Sequence, residues 1–353
     1  MKKILGLLTL LAVVLVFVFT GSGKGADLLI LNWGDYMSTE VIHDFEKTYG
    51  VTVKEVTVDS NELMYQNIIN QNAEYDLVLP SDYMIDQMMQ DGLLLELDFS
   101  KLENYQEDIF VPELNQLMNS LDCKAYKNYY IPYFWGSLSI MYSKRISGVE
   151  EAVLENGFKV LFERNLLPDG TKCGMYNVSR DALAAAELYL GYSLNTTDKN
   201  EIDTCMSLLK NTNFDHWGTD ELKREVSQGN LDVALVYSGD FFDAYYTDVE
   251  GEKYDNLETY GIYAPKDHNN VFFDGMAIPV TSSNPDLAYK MIDFLLEHEN
   301  SYTNTGFVGY CPTLNSVFEA IMEEEDWEDV CAIDAYNPTL IVNHPNSLAE
   351  VYR

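Results

Sequence analysis

From Leu28 to Gly92 the chain alternates apolar runs with segments of helical period, and this alternation restricts it to few architectures. Residues 28–31 (Leu-Leu-Ile-Leu) read as a buried strand. Ser38 or Thr39 then caps a helix whose apolar face is Val41, Ile42, Phe45 and Tyr49, and Gly50 stops it. Residues 51–58 are rich in β-branched side chains and predict a second strand. A helix from about Glu62 to Asn70 leads to a third, buried strand over 75–79. Pro80-Ser81-Asp82-Tyr83 turns into a helix ending near Gly92. This is a βαβαβ unit with a mostly parallel sheet. The turns after its first and third strands carry Trp33, Asp35, Ser81 and Tyr83, all predicted on one side of the sheet.

A second α/β region begins beyond Ile131-Pro132-Tyr133-Phe134-Trp135-Gly136. Helices are predicted over 181–190, closed by Gly191, and over 200–210. A strand over 231–237 ends at Tyr237-Ser238-Gly239-Asp240. Residues 260–265 lead to Phe272-Phe273-Asp274, then a strand over 276–280 and an amphipathic helix over 286–298. With 353 residues the chain can bury a large core in two domains.

In open α/β sheets ligands bind beyond the carboxyl ends of the strands. The first strand runs into Asn32-Trp33-Gly34-Asp35-Tyr36, two aromatics and a carboxylate around a glycine. Phe272-Phe273-Asp274 repeats that chemistry far along the chain. Aromatic faces beside a negative charge favour an ammonium group. Taken singly, Trp33 and Phe272 are compatible with core aromatics, and Asp35, Asp181 and Asp240 with caps or turns.

The charge balance agrees with a cationic ligand: 22 Lys+Arg against 57 Asp+Glu give a formal net charge of −35. Nucleic-acid binding is excluded, because it needs basic patches. Salt screens the attraction for cations beyond about 8–10 Å. The five histidines are scattered, and no nucleophile motif, HExxH or phosphate loop occurs, so no catalytic residue, cofactor or metal is assigned. Carboxylates among aromatics also suit a glycoside hydrolase, the alternative from a different class. Within binding proteins, another small cation or ferric iron is the competing cargo. The five cysteines match no zinc spacing and read as buried thiols. The acidic run 323–329 is a solvated helix face that lacks calcium-loop spacing.

Lys2 and Lys3 precede an uncharged apolar stretch over 4–20, the pattern of an export segment. Ser22 stands where a lipoprotein signal would have cysteine. Membrane association is therefore expected only through residues 1–26, kept or cleaved, with the rest exported to the periplasm or the outer face of the cytoplasmic membrane.

The segments 32–36, 75–83, 131–136, 190–198, 272–279 and 309–315, in this order, resemble the spermidine/putrescine-binding proteins of ABC importers. The resemblance implies a two-lobed periplasmic-binding-protein fold of type II. Each lobe would be a central, mostly parallel sheet flanked by helices, with a hinge between them. Lobe 1 would comprise 27–135 with 273–318, and lobe 2 would comprise 136–272 with 319–353. It also implies a monomer that captures putrescine or spermidine and hands it to separate permease subunits. Carried over by position, Trp33, Asp35, Tyr36, Ser81, Tyr83, Asp181, Tyr237, Asp240, Phe272, Asp274 and Tyr310 would form the ligand site. Val178 stands about where spermidine binders have an aspartate, and Gly34 replaces a hydroxyl residue.

Overall fold

The computed structural model describes residues 25–70, 74–120, 123–242, 259–324, 328–345 and 348–352. The expected export segment lies outside the described residues except for its last two, as does the centre of the acidic run. Among the described residues no helix is long and apolar enough to cross a membrane. All five cysteines are free thiols, four of them buried.

The first unit folds as its alternation predicts. Strand β1 (Leu28–Asn32) is followed by helix α1 (Thr39–Tyr49), which buries Val41 and Phe45 and ends at Gly50 with φ 67°. That left-handed conformation costs a glycine little and lets its N–H reach the Glu46 carbonyl. Strand β2 (Val53–Thr57) and helix α2 (Asn61–Ile69) come next. Strand β3 (Leu77–Val78) and helix α3 (Asp82–Gln90) complete the unit. β1 lies between β2 and β3, parallel to both.

A larger sheet is built around β4 (Ile131–Ser143), thirteen residues that are all buried. Its other strands are β5 (Cys173–Tyr176), β6 (His216–Gly218), β7 (Val233–Tyr237) and β8 (Tyr260–Tyr263). Helix α4 (Ser179–Leu190) follows β5, and helix α5 (Glu221–Ser227) follows β6. Strand β9 (His268–Met276) precedes helix α6 (Pro285–Leu295), and β10 (Cys311–Pro312) and β11 (Leu348–Glu350) close the set. β5 is parallel to β6 and β7, whereas β4 is antiparallel to β7, β8, β9 and β10.

The register of β4 makes the two-lobed shape. Residues 131–137 pair with β9 and β10, while residues 138–143 pair with β7 and β8. At its far end β9 passes to the small sheet, because Val78 and Ala277 exchange backbone hydrogen bonds of 2.9 Å. Two strands therefore run from one lobe into the other. Close backbone approach is needed at this crossing: a Cβ on Gly136 would lie 2.6 Å from Ser238 Oγ.

β9 differs from the sequence expectation, which put a strand at 276–280. The strand starts at His268, so Phe272 and Asp274 lie inside it. The polar run His268-Asn269-Asn270 joins a sheet because its side chains find partners there. Asn269 donates to the Leu138 and Pro265 carbonyls, and Asn270 to the Glu350 carbonyl.

One buried carboxylate ties the first unit to α6. Asp76, 2% exposed, accepts the N–H groups of Leu29, Ser283 and Asn284 and the Ser282 hydroxyl at 2.8–3.1 Å. Asp76→Ala strands those donors and is expected to lower stability by about 2–4 kcal/mol in urea unfolding. A loss within a few tenths of that from surface substitutions would remove Asp76 as an anchor.

Candidate functional site

The carboxyl ends of the parallel strands meet at a single cleft of about 900 Å³, part of it open solvent. β1 delivers Trp33, Asp35 and Tyr36, and β3 delivers Ser81 and Tyr83. Asp181 enters from the first turn of α4 beyond β5, and Tyr237 and Asp240 from the end of β7. Phe272 and Asp274 project from β9, and Tyr310 from the residue before β10. All eleven residues singled out in the sequence line this cleft.

Asp274 lies at its floor, 5% exposed. Tyr36 donates its phenol proton to Asp274 Oδ2 at 2.6 Å. Asp274 Oδ1 is buried and has no hydrogen bond of ordinary geometry to a described residue. Burial pushes the carboxyl up to about 6, against the nearby Ser81 and Tyr36 hydroxyls, which favour the anion. Asp181, 6% exposed, is treated alike. Tyr237 donates to its Oδ1 at 2.6 Å, and burial pushes the carboxyl up to about 6 against that bond.

Asp240 is more fully served. Its Oδ2 accepts from the Tyr237 N–H at 3.0 Å and the Tyr176 hydroxyl at 3.1 Å, and its Oδ1 accepts from Tyr310 at 3.1 Å. Lys223 Nζ stands 3.7 Å from the same Oδ1. Asp35 sits at the mouth at φ 52°, with its carboxylate 3.6 Å from Arg224 across the cleft.

The walls are aromatic. Phe272 meets Tyr237 edge to face at 4.8 Å, and Tyr36 meets Tyr310 at 5.3 Å. Trp33 is fixed by its Nε1–H to the Leu79 carbonyl at 2.8 Å. Tyr83 carries the Arg180 guanidinium 4.0 Å above its ring. Tyr310 packs where a Cβ on Gly239 would fall 2.0 Å from its ring, so that position accepts only glycine without moving the wall.

Several lining residues were absent from the sequence reading: Asp59, Ser60 and Asn61 after β2, Tyr176 at the end of β5, and Asp220 and Lys223 after β6. The strand-end rule that found Trp33 applies to all of these but Lys223, which lies inside helix α5. Tyr352, from the last described residues, gave no such signal. Among the described residues no group of three or more His, Cys, Asp or Glu is placed to hold a metal ion.

A carboxyl raised in the folded state costs stability once it ionises. Below about pH 4 Asp274 and Asp181 are protonated in both states, and from there to about pH 6 only the unfolded chain has released the protons. Their contribution to stability therefore falls as pH rises through that window. Ligand-free Asp274→Asn is expected to exceed the parent at pH 7 by on the order of 1–3 kcal/mol, and to match it near pH 4. Thermal unfolding at both pH values checks this; a variant less stable at pH 7 contradicts the burial penalty.

Comparison with known proteins fits this architecture. Residues 40–332 match the bacterial extracellular solute-binding protein family. The putrescine-binding periplasmic protein SpuD of Pseudomonas aeruginosa is 29% identical over 304 residues, 82% of this chain and 80% of that protein. The spermidine/putrescine-binding periplasmic protein of Salmonella typhimurium is 28% identical over 302 residues, 84% of this chain and 80% of its own. Among solved structures, PotD, the substrate-binding protein of a spermidine/putrescine ABC transporter from Streptococcus pneumoniae, superposes with a TM-score of 0.70. It is 31% identical, with 92% of each chain covered. With two lobes, a cleft at their strand ends and a family match over most of its length, the chain belongs to the bacterial extracellular solute-binding proteins.

Proposed function

We propose that this protein captures polyamines of the putrescine and spermidine class in its cleft and delivers them to the permease of an ABC importer. The observation that carries this reading is Asp274: a buried carboxylate whose Oδ1 has no hydrogen bond of ordinary geometry to a described residue, between Phe272 and Tyr36, in a chain of charge −35. An aliphatic amine brings what such a floor lacks, a cation with hydrogen-bond donors. Its methylenes need flat apolar walls, and the rings add cation–π attraction of about 0.5–2 kcal/mol each. The polyamine-binding relatives reported above support the same ligand class.

In this reading the eleven sequence-derived residues form the ligand site, some at the ligand's ends and some as its walls, and the lobes are 27–135 with 273–318 and 136–272 with 319–353. Closure follows from ligand binding, because a cation relieves the buried acids only when both walls enclose it. The protein works as an exported monomer and holds its ligand without chemical turnover. Ferric iron is disfavoured by the phenols: Tyr36, Tyr176, Tyr237 and Tyr310 each donate a proton to a carboxylate, and burial raises all four.

Isothermal titration of ligand-stripped protein with putrescine and spermidine tests the reading, with micromolar or tighter binding expected for at least one. Asp274→Asn is expected to weaken that binding by about 100-fold or more, since it removes one member of a buried ion pair. Folded protein that gives no heat with either amine would falsify the assignment.

A further inference from the structure

Among the described residues, Lys223 is the one that brings a cationic side chain to the cleft lining. It comes from α5 and is only 7% exposed. Its ammonium lies 3.7 Å from Asp240 Oδ1 and also acts on Asp220, just before the same helix. Chemically its tip is an alkylammonium, the same group that ends an aliphatic polyamine. The acceptor oxygens of Asp240 are otherwise occupied by Tyr176, Tyr237 and Tyr310.

The carboxylates of the cleft are thus matched unevenly by the chain's own cations. Asp240 and Asp220 face Lys223, and Asp35 at the mouth faces Arg224. Asp59 is exposed, where water screens it. Two deep carboxylates remain. Asp274 accepts from the Tyr36 hydroxyl at 2.6 Å with the Ser81 hydroxyl nearby, and among the described residues it forms no ion pair with a lysine, arginine or histidine. Asp181 is bonded by Tyr237 and has Glu62 and Asp240 acting against its charge; the cation acting on it is Arg180, whose guanidinium is spread over the Tyr83 ring.

We infer that Lys223 determines the length class of the ligand: its ammonium fills the seat at Asp240, so the cleft takes an aliphatic diamine at Asp274 and Asp181 and disfavours a triamine. The inference rests on the polyamine reading above. A third ligand ammonium has no unmatched acid to reach, since the lining beside Asp181 is the apolar Val178. Beside Asp240 it meets a like charge that is itself buried, where repulsion is weakly screened.

The test is a titration of the parent protein, Lys223→Ala and Lys223→Arg with putrescine and with spermidine. The parent is expected to prefer putrescine by tenfold or more. Lys223→Ala opens the Asp240 seat and should shift the ratio of the two Kd values toward spermidine by at least tenfold, whereas Lys223→Arg should keep the parent's preference. A parent that binds spermidine as tightly as putrescine overturns the inference, as does a folded Lys223→Ala with an unchanged ratio. Should Lys223→Ala not fold, the parent's own ratio still decides. Binding of neither amine by the parent overturns the polyamine reading itself, and this inference with it.

Discussion

The antiparallel pairing of β4 with β9 is the constraint on which the rest of the molecule depends. One stretch of β4 is hydrogen-bonded within one lobe and the next stretch within the other, so the lobes share backbone. Such a connection allows bending while it fixes which strand ends face each other. Phe272 and Asp274 lie on β9 at this crossing. One of the buried acids of the cleft is therefore carried by the element that joins the lobes.

Electrostatics explains why the cleft is built of phenols around acids. A carboxylate removed from water needs donors or a cation, and neutral phenols supply donors without cancelling the charge. Tyr36 on Asp274 and Tyr237 on Asp181 leave each acid negative and raised toward neutrality, a poor state alone and a good one beside an ammonium. Asp240 shows the other solution, an acid provided with the chain's own lysine. Asp76 shows a third, a buried acid satisfied by backbone N–H groups, which serves the fold. Four buried aspartates thus have different surroundings, and their surroundings set their roles.

Much of this was legible in residue order. The apolar run 28–31, the β-branched run 51–58 and the glycines at 50 and 191 placed strands and helix ends close to where they occur. The rule that ligands meet strand ends picked out Trp33, Tyr83 and Tyr237. The start of β9 was not legible, because His268-Asn269-Asn270 reads as loop until Leu138 and Glu350 supply its partners. Lys223 and Tyr352 were missed for a similar reason. A lysine in a short, charge-rich helix reads as a solvated face, and only the packing of α5 against the cleft removes it from water.

The sequence by itself determined the α/β class, the acidic and aromatic character of the site and the segments that contribute to it. These follow from local periodicity and from which side chains stand at strand ends, quantities that depend on near neighbours in the chain. Only the tertiary structure decided which acid is paired with which donor. Asp274 meets Tyr36 across 238 positions, and Asp240 meets Tyr310 across 70. Charge burial and hydrogen-bond satisfaction are properties of distance in space, so the division between acids bonded only by phenols and the acid that also has a lysine could arise only once the chain had folded.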